Sequence, residues 1–304
     1  MAGKSEGATL ISPELFAQIR RIQIKTRRLV TDVLAGEYAS ALRGRGMEFD
    51  EVREYIPGDD VRAIDWNVTA RMGVPHVKIF REERELTLLL LIDVSASQGF
   101  GTEKKTKQAL AAEIAACFAV LAMQNHDKIG LLLFSDHVER YIPPKKGRAH
   151  IWNLIRTVLM HETRGRKTSV NAAIKHVMDT MKRRAVCVLV SDFWDKGYER
   201  SLTQLARKHE LLSILTRDRR ETQLPAAGLV QVHDMESGEL LTIDTSDPAF
   251  QNIMQNEHAR HEAEVMNLFK RQGIQTVAIH TDDAIAPKLM QLLHQNQNPR
   301  RSRR

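Results

Sequence analysis

The sequence predicts an α/β fold built on a doubly wound, mainly parallel sheet. Three observations carry that expectation. Short, almost continuously apolar runs recur along the chain, helical periodicities fill the gaps between them, and chemistry-bearing residues follow the ends of those runs. Leu86–Ile92 is the clearest run, as expected of a strand buried on both faces. Similar runs lie at Ile129–Phe134, Ala185–Val190, Leu211–Leu215 and Thr276–Ile279. Between them, Thr106–Met123, Ala149–Met160, Ser169–Met181 and Glu199–Lys208 repeat apolar residues at spacings of three and four. Strands alternating with helices imply parallel pairing, because each crossover must return the chain to the same edge of the next strand.

Three further segments complete the outline. Ser12 as N-cap and Pro13 at the first helical position open an amphipathic helix predicted to run to about Leu34. Arg20, Arg21, Lys25, Arg27 and Arg28 crowd that helix, either as a solvated face or as a docking surface for acidic groups. Between Gly44 and Arg84, alternation at Val52–Ile56, a turn at Pro57–Asp60 and an apolar stretch at Val77–Phe80 predict a small β-containing module. Gly228–Thr245 carries two apolar stretches around Asp234–Gly238, a β-hairpin signal that interrupts the main rhythm. A long helix is expected from Pro248 to about Arg271, capped by Asp247. The expected organisation is residues 1–85 as N-terminal helix and α+β module, 86–295 as the main domain with the inserted hairpin at about 228–245, and 296–304 as a basic tail.

Composition narrows the function classes. Apolar residues make up 42% and charged residues 27%, the balance of a soluble globular protein. No run of 18 apolar residues occurs, so no membrane-spanning helix is expected, and Met1–Glu6 lacks the apolar core of a secretory signal. Cys117 and Cys187 fall in apolar stretches and read as buried free thiols of a reducing compartment, which makes the cytoplasm the expected location. The net charge of +7 is unevenly placed: residues 1–85 hold 14 basic and 14 acidic side chains, whereas the tail Pro299–Arg304 contributes +4. Charge confined to one end and only 5% aromatic residues argue against specific nucleic-acid binding. A polyanion-binding role driven by the tail is the minor alternative.

In an open parallel sheet, ligands bind beyond the carboxyl ends of the strands. Asp93-Val94-Ser95-Ala96-Ser97 follows the first run, Ser191-Asp192-Phe193-Trp194 follows the Ala185 run, and Arg166-Lys167-Thr168 precedes the helix opening at Ser169. Each has a plain structural alternative, since Asp-x-Ser-x-Ser forms turns, Thr168 is a plausible N-cap and Asp192 could cap the next helix. Phe193 and Trp194 are either core residues or an exposed aromatic anchor for a partner.

Asp93, Ser95, Ser97, Thr168 and Asp192 in this order resemble the metal-ion-dependent adhesion site of von Willebrand factor A domains, over about residues 86–295. The resemblance implies a von Willebrand A/Rossmann-like domain in which these five residues hold Mg2+ or Mn2+. Magnesium takes six oxygen ligands in a near-regular octahedron, which alternate hydroxyls and a carboxylate on one loop can supply. An acidic side chain of a protein partner would then complete the shell. Further likeness rests on Arg45–Phe49, Asp65–Arg71 and Phe80–Glu83, which are similar to the bacterial family called domain of unknown function fifty-eight. That family resembles co-factors of MoxR-type AAA+ ATPases, and this implies an adaptor in assembly or client handling. Where many such domains carry two glycines before the threonine, this chain has Arg166 and Lys167, expected to favour an acidic partner.

Other chemistries are less well supported. His258 and His261 share a helix face with Glu257 and Glu262, but lack the order of a zinc protease and read as a solvated face. No phosphate-binding Gly-x-x-x-x-Gly-Lys loop or Gly-x-Ser-x-Gly elbow occurs. A non-catalytic, metal-dependent adaptor is the expectation, with a phosphoryl-directed, metal-dependent hydrolase on the same carboxylates as the alternative.

Overall fold

The computed structural model describes residues 26, 29–30, 32–42, 47–82, 85–102, 105–163, 165, 167–233 and 240–297. The predicted helix from Pro13 falls outside them as far as residue 25, as do Arg164, Arg166, residues 234–239 of the hairpin turn, and the basic tail.

A six-stranded sheet forms the centre, in the order β12-β9-β8-β3-β6-β7. Its strands are β3 (Thr87–Asp93), β6 (Lys128–Phe134), β7 (Val138–Lys145), β8 (Val186–Ser191), β9 (Glu210–Arg217) and β12 (Gln275–His280). All neighbours pair in parallel except β6 and β7. The five apolar runs each became a strand, giving a mixed α/β fold with a mainly parallel sheet. β7 was not expected, because Pro143-Pro144 removes two ladder donors and reads as a breaker; it sits at the sheet edge, where prolines are tolerated.

Strand geometry divides β3 between two cores. Leu88, Leu90 and Ile92 face one layer, and Leu89 and Leu91 face the other. The first layer holds α3 (Lys107–Gln124), α4 (Arg148–Leu159), α8 (Ile285–Gln297) and α1 (Asp32–Leu42). The second holds α5 (Val170–Thr180), α6 (Glu199–Lys208) and α7 (Pro248–Arg271). α1 continues past the predicted end at Leu34, because Leu34, Tyr38 and Leu42 repeat every four residues and all three are buried. The Tyr38 hydroxyl donates to Asp127 (3.0 Å), tying that helix to the turn after α3. α8 was also not read from the sequence.

α3 corrects the expectation that no segment could cross a membrane: by length and composition Lys107–Gln124 is apolar enough to do so. Here it is a core helix, with Leu110, Ile114, Phe118 and Leu121 fully buried in the first layer. Cys117 in α3 and Cys187 in β8 are buried, and burial pushes the Cys187 thiol up to about 12.

β1 (Met47–Glu54) and β2 (His76–Glu82) form a separate antiparallel ladder, joined through the 57–60 turn and the short helix α2 (Trp66–Met72). Asp65 caps α2, accepting from the Asn67 and Val68 amides. Gly73, at φ 75°, ends it in the left-handed conformation that glycine reaches without strain. β10 (Leu229–His233) and β11 (Leu240–Asp244) pair as the expected hairpin.

Candidate functional site at the carboxyl rim of the sheet

From β3 the chain crosses through α3 to β6 on one side, and the later strands β8, β9 and β12 lie on the other. The strand order therefore reverses between β3 and β8, where α/β sheets open a crevice beyond their carboxyl ends. Asp93 ends β3, and Asp192 directly follows β8.

The structure brings four of the expected residues together. Asp93 Oδ1 accepts from the Ser95 amide (2.9 Å) and Oδ2 from the Ser191 hydroxyl (2.6 Å). Ser95 Oγ and Ser97 Oγ lie 3.1 Å apart, and Ser97 Oγ donates to Asp192 Oδ2 at 3.0 Å. Asp93, Ser95 and Asp192 are buried, while Ser97 opens onto the rim. Thr168 is half-buried on the loop before α5 and, among the described residues, makes no hydrogen bond to the Asp93–Ser97 turn. That loop is held against the rim by Thr163, whose hydroxyl donates to the Val94 carbonyl, and by the Ser169 amide on Ser135 O (2.7 Å). Gly165 passes so close that a Cβ there would sit 2.2 Å from Ser135 Oγ. Ser169, not Thr168, caps α5, and Asp192 caps no helix.

Lys107, which the sequence reading passed over, completes the cluster. Its ammonium donates to Asp192 Oδ2 (2.8 Å) and Glu221 Oε1 (2.6 Å). The signal was present in the chain: a lysine in the first turn of an apolar helix opposes the helix dipole and calls for a carboxylate partner. Burial pulls Lys107 down, but the charges of Asp192 and Glu221 outweigh it and hold the ammonium above its ordinary range. Burial raises Asp192, yet Lys107, Ser97 and Arg217 together hold it below the usual carboxylate range. Among the described residues no cation pairs with Asp93. Burial first, and then the charge of Asp192, push it up to about 7 against the hydrogen bonds from Ser191 and Ser95.

Chemically, the rim is a pair of buried carboxylates with two hydroxyls and too little positive charge on the Asp93 side. Asp192 Oδ1 is buried without a hydrogen-bond partner. Among the described residues no group of three or more His, Cys, Asp or Glu could hold a metal. The donors at the rim are instead two carboxylates plus hydroxyls, hard oxygens of the kind magnesium takes. Asp93, Ser95, Ser97 and the orphaned oxygen of Asp192 fit such an ion.

Two expectations need correction. Phe193 cannot offer a partner contact: at φ 57° its side chain turns inward and packs edge-on against Phe269 (4.9 Å), fully buried. Trp194 does remain 40% exposed, so the aromatic anchor narrows to this one residue. His258 and His261 do not form a solvated face. His261 stacks on Trp194 (3.9 Å, 8°) and donates through Nε2 to the Asp192 carbonyl at 3.0 Å, while His258 meets the indole edge-on at 5.2 Å. Lys167 is exposed, and Arg166 lies outside the described residues. Ser97, Phe100, Trp194 and Glu221 line one part of a groove of about 1210 Å³, and Leu241 of the hairpin and Met254 of α7 line another.

Fold and rim thus define an α/β protein with a carboxylate–hydroxyl cluster at the switch point of a mainly parallel sheet. Residues 51–264 match the family described as protein of unknown function DUF58, and the chain belongs to that family. It is 33% identical over 273 residues to uncharacterized proteins of Mycobacterium bovis and Mycobacterium tuberculosis, covering 89% of this chain and 86% of each relative. Among solved structures it is similar to the hypothetical protein BatB from Bacteroides thetaiotaomicron, with 11% identity, a TM-score of 0.44, and coverage of 69% of this chain and 98% of that one. An aerotolerance-related membrane protein from Bacteroides fragilis matches at 13% identity and a TM-score of 0.43, covering 70% and 98%.

Proposed function

We propose that this chain is a non-catalytic adaptor of von Willebrand A type, in which the rim at Asp93 and Asp192 grips a protein partner through a divalent cation. The observation that carries the reading is the buried, unpartnered Asp192 Oδ1 beside Asp93, with the Ser95 and Ser97 hydroxyls on the same rim. Two carboxylates this deeply buried repel one another, as the raised Asp93 shows, and a hard cation between them relieves that cost. When bound, Mg2+ or Mn2+ supplies an open position that an acidic side chain of the partner fills. Asp93 and Asp192 supply charge, Ser95 and Ser97 neutral oxygens, and Thr168 a further hydroxyl from the neighbouring loop. Ser191 and Lys107 are positioning residues: each holds one aspartate by hydrogen bond and leaves its other oxygen facing the rim or its turn.

The partner in this reading is a MoxR-type AAA+ ATPase acting in the cytoplasm, with Lys167 and Trp194 contributing beside the cation. That partnership rests on the family likeness of the residues around Asp65–Arg71. The test is affinity capture with tagged full-length protein in magnesium or EDTA, with Asp93→Ala in parallel. An AAA+ ATPase retained in magnesium, but lost in EDTA and in the variant, is the expected result. Equal retention in all three would remove the cation from the grip. Magnesium-dependent phosphoester turnover lost in Asp93→Ala would replace the adaptor by a hydrolase.

A further inference from the structure

We propose that Arg217, with His258, forms a carboxylate-binding pocket beside the aspartate rim. The adaptor reading enters only in naming the source of that carboxylate, a second acidic group on the partner.

Arg217 ends β9 with its side chain 3% exposed, and none of its Nε, Nη1 and Nη2 atoms has a hydrogen-bond partner. Its backbone is fixed, since its carbonyl accepts from the Thr281 amide at 2.9 Å. Guanidinium groups are seldom buried with every donor idle, because the lost hydration is then uncompensated. The surroundings do not compensate here: Glu262 stops at 4.0 Å from Nε, and the Trp194 ring covers the guanidinium at 5.9 Å. Burial pulls Arg217 below its ordinary range, against the charges of Glu221, Asp192 and Glu262.

A second idle polar atom lies close by. His258 Nδ1 on α7 is buried and unpartnered, and its ring meets the same indole that covers Arg217. The end of β9 and α7 therefore present idle polar groups on either side of Trp194. The missing component is an acceptor. A planar carboxylate matches the guanidinium fork through two parallel hydrogen bonds. Phosphate places nearly two charges on one group whereas each succinate carboxylate carries one, so Asp192, Glu221 and Glu262 nearby disfavour phosphate more. Trp194 and His258 also line the groove, so a side chain lying there reaches the pocket by displacing the indole.

Full-length protein in EDTA, at fixed ionic strength and pH 7.5, can be titrated with succinate or inorganic phosphate, reading tryptophan fluorescence and thermal unfolding. Wild type should show a saturable response to succinate and a weaker one to phosphate. Trp194→Phe should lose the fluorescence change but keep the thermal shift. Arg217→Met should no longer respond to succinate, and Arg217→Lys, which keeps the charge but not the planar fork, should respond more weakly than wild type. Asp93→Ala should respond like wild type, which separates this pocket from the cation site. An unchanged succinate response in both Arg217 variants, an absent response in wild type, or a stronger one to phosphate would overturn the proposal.

Discussion

At Lys107 a single ammonium holds two carboxylates, Asp192 and Glu221, with no access to water. Breaking a buried ion pair from one side costs more than the pair contributes, since it strands an uncompensated charge. Lys107→Met should therefore destabilise the protein by about 3–5 kcal/mol, seen as a lower urea midpoint. Asp192→Asn in the same chain should recover part of that loss, and strict additivity of the two effects would argue against a coupled pair. His209 gives a second test at this scale. Its Nδ1 accepts from the Ala185 amide (3.2 Å), and burial, with Lys208 and Arg184, pulls its pKa down to about 4. The folded state thus holds fewer protons than the unfolded one between about 4 and the ordinary value of 6.5. Stability from this residue is complete above 6.5 and declines as pH falls towards 4, by roughly 3 kcal/mol at most. His209→Asn, which keeps an acceptor and cannot titrate there, should flatten that part of a melting-temperature profile. An unchanged slope would assign the acid sensitivity elsewhere. Lys107 left a trace in the chain, a cation in the first turn of an apolar helix, but its partners and the burial of His209 before a strand are decided by what packs over them. Asp93, Ser95, Ser97 and Asp192 were legible for the opposite reason: each directly follows an apolar run, and a buried strand delivers its next residues to the rim.

Elements with one strong period were readable almost to their ends. α6 runs from Glu199 to Lys208 and α7 from Pro248 to Arg271, as the spacing and the Asp247 cap predict. β7 was hidden because its edge position, which permits Pro143 and Pro144, is a property of the sheet rather than of the segment. The pairing of β6 with β7 skips one residue: Ile129 opposes Lys145 and Leu131 opposes Ile142, so the two prolines face Gly130 alone. This is a bulge, and it depends on the absence of a side chain at Gly130. A Cβ there would meet Pro144 N at 2.8 Å and Ile142 O at 2.9 Å. Both contacts are backbone, so the edge strand must move to admit a methyl group. Gly130→Ala should cost about 1–3 kcal/mol in thermal unfolding, with faster amide exchange confined to β7. A variant as stable as wild type would show that the edge yields freely.

For the molecule as a whole, the parallel order places Asp93, Ser95, Ser97 and Asp192 at one end of the sheet, between the two apolar layers. Arg217 and Glu221 escaped notice in the sequence, and His261 read as a solvated face, because they follow no shared pattern; only the order of the strands brings β9 and α7 beside Asp192. The same arrangement sets a global test of the cation reading. A ligand that binds the folded chain and not the unfolded one raises stability by RT ln(1 + [L]/Kd), about 2.7 kcal/mol at a hundredfold excess over Kd. In a domain of this size each kcal/mol moves the melting temperature by about 2–4 °C. Magnesium should therefore raise the melting temperature by several degrees at pH 7.5, and EDTA should reverse it. Asp93→Ala should melt at one temperature under both conditions, while Cys187→Ser, a buried change in β8 remote in chemistry from the carboxylates, should lower the baseline and keep the magnesium shift. If wild type itself ignores magnesium and manganese, the two aspartates are held by the protein's own donors, Lys107 and Ser97 on Asp192 and Ser191 and the Ser95 amide on Asp93. The rim would then be a fixed polar cluster, and partner recognition would fall to the groove and to Arg217.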